Sequence, residues 1–193
     1  MENKIVRTAD IKVVKRSVED GAETREVEGI ACVFNQSTDL GWFTEEIDAR
    51  AFDECDMSDV VLNFNHDNNL ILARTTNGSL HLSVEADGLH QRATIVDTTN
   101  GRDVLTLVRE GLISKMSFAF SVEENEWIER KGEKDHRVIT KIGRLFDCSL
   151  VTFPAYSQTK VSLARSEDAL VEEHRKYVEK YTEQMERMKK IYG

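Results

Sequence analysis

Three observations predict a mainly β protein. Apolar and polar residues alternate over several short stretches, as half-buried strands require; two such stretches flank Asp87-Gly88, a hairpin signal; and helical periodicity is confined to a segment after Thr98 and to the C-terminal end. The chain has 193 residues, 40% hydrophobic and 32% charged, enough for one well-buried core and an appendage at most. We therefore divide it into a β domain over residues 1–165 and a helical tail over residues 166–193.

The first strand is expected within Lys4 to Arg16. A turn at Glu19-Asp20-Gly21 leads to a second strand from Thr24 to Phe34. Asn35 to Gly41 reads as a polar connection, and Glu45 to Phe52 carries Ile47, Ala51 and Phe52 at near-helical spacing. Val60 to His66 alternates, with Val60, Leu62, Phe64 and His66 on one face, so that His66 ends an apolar stripe. A histidine there is either a hydrogen-bonded structural residue or a general base whose neutral form partial burial favours.

Leu80 to Ala86 and Leu89 to Val96 form the predicted hairpin. A two-residue loop at Asp87-Gly88 pairs Ala86 with Leu89, Leu82 with Ala93 and Leu80 with Ile95, apolar against apolar. His81 and His90 fall on its polar face, away from any obvious carboxylate cluster, and read as solvated. A short helix follows over Gly101 to Glu110, capped by Thr99 or Asn100, with Val104, Leu107 and Val108 inward and Gly111 as terminator.

From Ser114 to Val122 the chain alternates again. Met116, Phe118, Phe120 and Val122 line one side and Ser117 the other, so Ser117 is either a small polar residue on the wet face of a sheet or a hydroxyl held on a rigid element. Glu126 to Glu129 and His136 to Ile142 suggest a hairpin around the charged tip Lys131-Gly132-Glu133. Leu145 to Val151 is the last strand, with Phe146, Cys148 and Leu150 on one side and Asp147 among the residues of the other. An acid inside an apolar strand costs free energy unless it is paired, so Asp147 demands a partner. Cys148 points the opposite way and reads as a core cysteine.

Beyond Tyr156 the character changes. Ser166 can cap a helix with Glu167 and Asp168 at its start and Lys189 and Lys190 at its end, and Leu170, Tyr181 and Tyr192 recur every 11 residues along one stripe. This amphipathic helix either packs on its own domain or associates with a partner.

Composition excludes several function classes. The formal net charge of −9 gives no support to phosphate-backbone binding. The three cysteines Cys32, Cys55 and Cys148 are odd in number and widely spaced, which indicates neither a disulfide framework nor a zinc site. No cofactor or metal is called for. The first residues lack a signal-peptide core, and no run approaches the ~18 apolar residues of a membrane span, so a reducing cytoplasm is the expected location.

Several segments, in order, resemble the prohead maturation proteases of tailed bacteriophages. They are Glu28-Gly29-Ile30-Ala31-Cys32-Val33-Phe34-Asn35; Glu45-x-Ile47 with Ala51-Phe52; Asn65-His66-Asp67; Gly101-Arg102-Asp103; Met116-Ser117-Phe118; and Leu145-Phe146-Asp147-Cys148-Ser149 with Val151-Thr152-Phe153-Pro154-Ala155. The resemblance runs from Val27 to Val161. Ala73, Lys115 and Ala119 stand where glycines are common in the family, and Asp147 where glutamate is frequent.

The resemblance implies a partly closed antiparallel β-barrel edged by short helices, similar to the herpesvirus assemblins. It also implies a serine endopeptidase of head maturation, with Ser117 as nucleophile, His66 as general base and Asp147 as orienting acid. The order His, Ser, acid differs from the chymotrypsin, subtilisin and α/β-hydrolase orders. Its implied substrates are the capsid scaffold or a scaffold-like arm of the major capsid protein, and its own termini, inside the assembling procapsid of a bacterial host. Backbone amides near Thr152 to Tyr156 are the expected oxyanion donors. Two rivals remain at this level: a non-catalytic β-barrel assembly module that docks through its C-terminal helix, and a thiol hydrolase built on His66 and Cys148.

Overall fold

In the computed structural model, residues 4–12 are described by their backbone and residues 25–152 with their side chains. Strands dominate: β1 (Lys4–Lys12), β2 (Glu26–Val33), β3 (Thr38–Asp39), β4 (Phe43–Ile47), β5 (Val61–Phe64), β6 (Asp67–Arg74), β7 (Leu80–Val84), β8 (Gly88–Thr94), β9 (Lys115–Ile128) and β10 (Asp135–Val151). The helix α1 (Thr99–Arg109) is the one α-helix among the described residues. The tail helix, its stripe and the boundary at residues 165/166 lie outside the described residues.

Pairing runs in the order β3-β4-β10-β9-β1-β2-β8-β7, with β5 joining β10 and β6 joining β5. Two features depart from the barrel that the resemblance implies. The sheet is mixed, because β4 and β5 both lie parallel to β10 along one of its sides, β4 beside Asp135–Ile139 and β5 beside Asp147–Leu150. The path is also open: among the described residues no pairing joins β3 to β7. β1 supplies the corner, pairing with β9 through residues 4–10 and with β2 through Ile11 and Lys12, as strands that switch sheets do.

The segments 114–122 and 126–129 merge into the single strand β9, and 136–142 and 145–151 into β10, the two bridged by bulges in their shared register. Burial along β9 corrects the expectation of a wet face. Met116, Phe118 and Phe120 are buried, and so are Ser117 and Ala119 between them. The alternation is one of large against small, because both faces of β9 are buried over Met116–Phe120. Phe146, expected inside with Cys148 and Leu150, is only half-buried, and Arg144 lies over its ring at 5.5 Å.

The β7–β8 hairpin forms, but two residues out of the expected register, with Val84 opposite Leu89 and Leu80 opposite Ala93. Each side chain keeps its face after a shift of two. The cause lies in β2. Gly88 is already in strand pairing with Val33, at negative φ, and a Cβ there would stand 2.1 Å from the Cys32 carbonyl. Asp87-Gly88 therefore cannot make a type I′ turn, which needs positive φ at both residues. The longer turn brings His90 Nε2 within 2.7 Å of Asp87 Oδ1, so His90 is not the isolated solvated residue expected.

In α1 the cap is Thr98, whose side chain accepts from the Gly101 N–H at 3.0 Å, and Val104, Leu105 and Val108 face inward while Leu107 is only half-buried. Gly111 ends the segment at φ +72°, a conformation glycine adopts at little cost, and the chain then enters β9. Glu45 to Phe52, whose type the sequence left open, is the end of the strand β4 followed by turns. Among the described residues no helix is long and apolar enough to cross a membrane.

Candidate active site

Register across three strands builds the site. Ser117 of β9 lies directly opposite Ser149 of β10, and Ser149 lies directly beside Asn63 of β5. Asp147 is two residues from Ser149, so it shares that face of β10. All four side chains are buried, at 0–2% exposure. A row of polar groups therefore crosses an otherwise apolar interior, and each must find a partner.

His66 comes from outside the row. The sequence puts it at the end of an alternating strand, but β5 stops at Phe64, and Asn65 and His66 form a two-residue loop closed by the pairing of Phe64 with Asp67. Both loop residues are left-handed, at φ +52° and +58°, as a type I′ turn requires. Asparagine tolerates this conformation, but histidine in the position usually held by glycine is strained by roughly 1–3 kcal/mol. The turn is held from behind: the Asn65 N–H donates to the Leu150 carbonyl at 2.9 Å, and Asn65 Oδ1 accepts from the Thr152 N–H at 3.0 Å and from its hydroxyl at 3.3 Å.

This turn swings the imidazole over the row. His66 Nε2 lies 2.8 Å from Ser117 Oγ, and His66 Nδ1 lies 2.6 Å from Asp147 Oδ1. The three residues singled out from the sequence thus meet through direct hydrogen bonds. Asp147 has the partner its burial demands. With Nδ1–H donating to the carboxylate, Nε2 is left as an acceptor for the Ser117 hydroxyl, the tautomer that a base needs. The imidazole is the more exposed side of the pair, at 24% against 3% for Asp147.

Two residues of the cluster were not singled out from the sequence. Ser149 Oγ is 2.9 Å from His66 Nδ1 and 3.0 Å from Asp147 Oδ1, and it also contacts Asn63 Oδ1. The available signal was the alternation of the last strand, which already puts Ser149 on the face of Asp147. Asn63 carried no such signal, because its position follows from the parallel pairing of β5 with β10.

Other expectations resolve at the same place. Cys148 is wholly buried between Phe118 and Leu62 in strand register, and burial, then the nearby Asp147 charge, push its thiol well above the ordinary range. A thiolate is disfavoured there, against the thiol-hydrolase reading. The Thr152 amide, an expected oxyanion donor, is occupied by Asn65, and residues 153–156 lie outside the described residues. Away from the site, Glu85, Asp87 and His90 hold their ligand atoms within 4.8 Å of one another at the β7–β8 turn, an exposed acidic group. The His90 hydrogen bond holds the Asp87 carboxyl below the usual range.

No curated protein matches this chain. The solved structure of the bacteriophage T4 capsid assembly protease is similar at 10% identity, with 76% of this chain and 96% of that chain covered and a TM-score of 0.46. The family model described as caudovirus prohead serine protease matches residues 11–174. That match spans most of the sequence and includes both strands of the Ser117–Ser149 row and the turn that carries His66, and with it the chain belongs to the caudovirus prohead serine proteases.

Proposed function

We propose that this serine protease is an endopeptidase of head maturation in which Ser117 is the nucleophile, His66 the general base and Asp147 the acid that orients it. Its substrates are the capsid scaffold or a scaffold-like segment of the major capsid protein, met inside the assembling procapsid of a bacterial host, and its own termini. The observation that carries the reading is the imidazole bridge, with one ring nitrogen 2.8 Å from the Ser117 hydroxyl and the other 2.6 Å from the Asp147 carboxylate.

In this mechanism Ser117 Oγ attacks the scissile carbonyl as its proton passes to His66 Nε2. The imidazolium then returns that proton to the leaving amine, and the acyl-enzyme is hydrolysed by water activated at the same nitrogen. Asp147 remains ionised throughout. It fixes the tautomer and stabilises the imidazolium, at short range and with little solvent to weaken the attraction.

A fluorophosphonate probe, which forms a covalent bond with an activated serine, tests the assignment. The chain is expected to be labelled at Ser117, and Ser117→Ala is expected to lose labelling and about a million-fold in cleavage of scaffold protein. A Ser117→Ala protein that still cleaves at the original rate eliminates the mechanism. A folded chain that neither labels nor cleaves would leave the non-catalytic assembly module as the better description of this member.

A further inference from the structure

We propose that Ser149 is a positioning residue for this reaction, a second acceptor for the His66 Nδ1–H alongside Asp147; this rests on the assignment of Ser117, His66 and Asp147 above. Ser149 is wholly buried on the rigid strand β10, and its Oγ lies 2.9 Å from the imidazole nitrogen that Asp147 meets at 2.6 Å.

A serine hydroxyl has one proton, so its orientation decides what it offers the ring. Two acceptors lie within its reach, the Asn63 carbonyl oxygen and Asp147 Oδ1 at 3.0 Å. Asn63 Nδ2 donates to Asn68 Oδ1 at 3.4 Å, which leaves its carbonyl oxygen against Ser149. In the proposed arrangement the hydroxyl proton goes to Asn63, because Asp147 Oδ1 is already engaged by the His66 Nδ1–H. The lone pairs of Oγ then face Nδ1–H, and the one N–H is shared by two oxygens, Asp147 Oδ1 and Ser149 Oγ.

Two acceptors on different bonds restrict rotation of the ring better than one. The restriction matters here because His66 stands on a left-handed turn rather than inside a strand, its backbone held by the Phe64–Asp67 pairing and through Asn65. An acceptor also favours the charged imidazolium over the neutral ring. Ser149 therefore contributes twice, to the aim of Nε2 at Ser117 and to the proton affinity of the ring as Ser117 attacks. The groups around the imidazole include Asp147 and Ser149 from β10, Ser117 from β9 and, next in the chain, Asp67, whose carboxylate accepts from the Asn69 N–H at 2.8 Å.

The test is the second-order rate at which a fluorophosphonate labels the full chain, measured across pH, which needs no knowledge of the cleavage sequence. Ser149→Ala is expected to slow labelling about tenfold, the loss of one hydrogen bond to a charged group shared with another acceptor. The acid limb of its profile is expected to move to lower pH, because the imidazolium loses an acceptor. Ser149→Thr keeps the hydroxyl and is expected to restore both. Asn63→Leu lets the hydroxyl turn toward Asp147, and is expected to slow labelling and shift the limb in the same direction with Ser149 intact.

A Ser149→Ala protein with the wild-type rate and profile overturns the proposal. So does an equal loss in the alanine and threonine variants with an unmoved acid limb, since that is the signature of packing alone. Persistence of labelling in Ser117→Ala is a separate result that removes the site assignment instead.

Discussion

The two halves of β10 bury charge in the same way and use it differently. In the first half, beside β4, Arg137 donates to Glu45 at 3.0 Å with both side chains at most 3% exposed, and the guanidinium also meets Asn125 at 3.2 Å and lies 5.7 Å from the Trp127 ring centroid. In the second half, beside β5, Asp147 meets His66 at 2.6 Å. Each carboxylate is matched by a cation-forming group brought by a different element, and each sits where a parallel strand joins β10.

The contrast lies in the cation. Arginine does not give up its proton in a protein, so the Glu45–Arg137 pair is permanent and can only hold β4 against β10. Imidazole charges and discharges near neutral pH, and its ring is the partly exposed member of its pair, on a strained turn outside the sheet. In the proposed mechanism the second pair serves chemistry because one partner can exchange a proton at a partly exposed edge.

Three substitutions can break or sharpen this contrast. The largest effect is expected from Asp147→Asn, which keeps the shape but lets the amide favour the wrong imidazole tautomer; the rate of fluorophosphonate labelling should fall by about 10⁴ while thermal unfolding changes little. A loss of folding with unchanged labelling per folded molecule would make Asp147 the structural twin of Glu45. Next comes Arg137→Ala, which takes the guanidinium away from a buried carboxylate and should cost about 3–5 kcal/mol in urea unfolding, with labelling of the folded fraction unaltered. Reduced labelling in a fully folded Arg137→Ala protein would mean that the two halves of β10 are coupled.

The smallest effect isolates the turn. In an Asp147→Ala background, where the imidazole no longer satisfies a buried acid, His66→Gly should raise stability by about 0.5–1 kcal/mol, the relief of left-handed strain less the added entropy of glycine in the unfolded chain. Equal or lower stability, read from the urea midpoint, would show that histidine sits at φ +58° without cost.

Much of this was legible in the sequence, and the failures have identifiable causes. Asp147 could be read as an acid in need of a partner, because burying an unpaired charge is costly wherever the strand lies. Ser117 was seen on its strand, but its burial was not, since alternation of large and small residues resembles alternation of inside and outside until the packing on both faces is known. His66 was placed on a strand stripe, although Asn65 before it and Asp67-Asn68-Asn69 after it are turn-forming residues, and that run was the available signal. Gly88 had the opposite fault, with the local chemistry of a hairpin turn overridden by its contact with β2.

What local sequence could determine is the mainly β character, the strands that carry Ser117 and Asp147, and the chemical type of those residues, since alternation, capping and turn preference act over a few positions. Tertiary structure alone decided that Asn63, Ser149 and Ser117 stand in one row and that the His66 turn closes over it. Parallel pairing of β5 with β10 joins segments more than 80 residues apart, and which of them meet depends on burial summed over the whole sheet rather than on any stretch of chain.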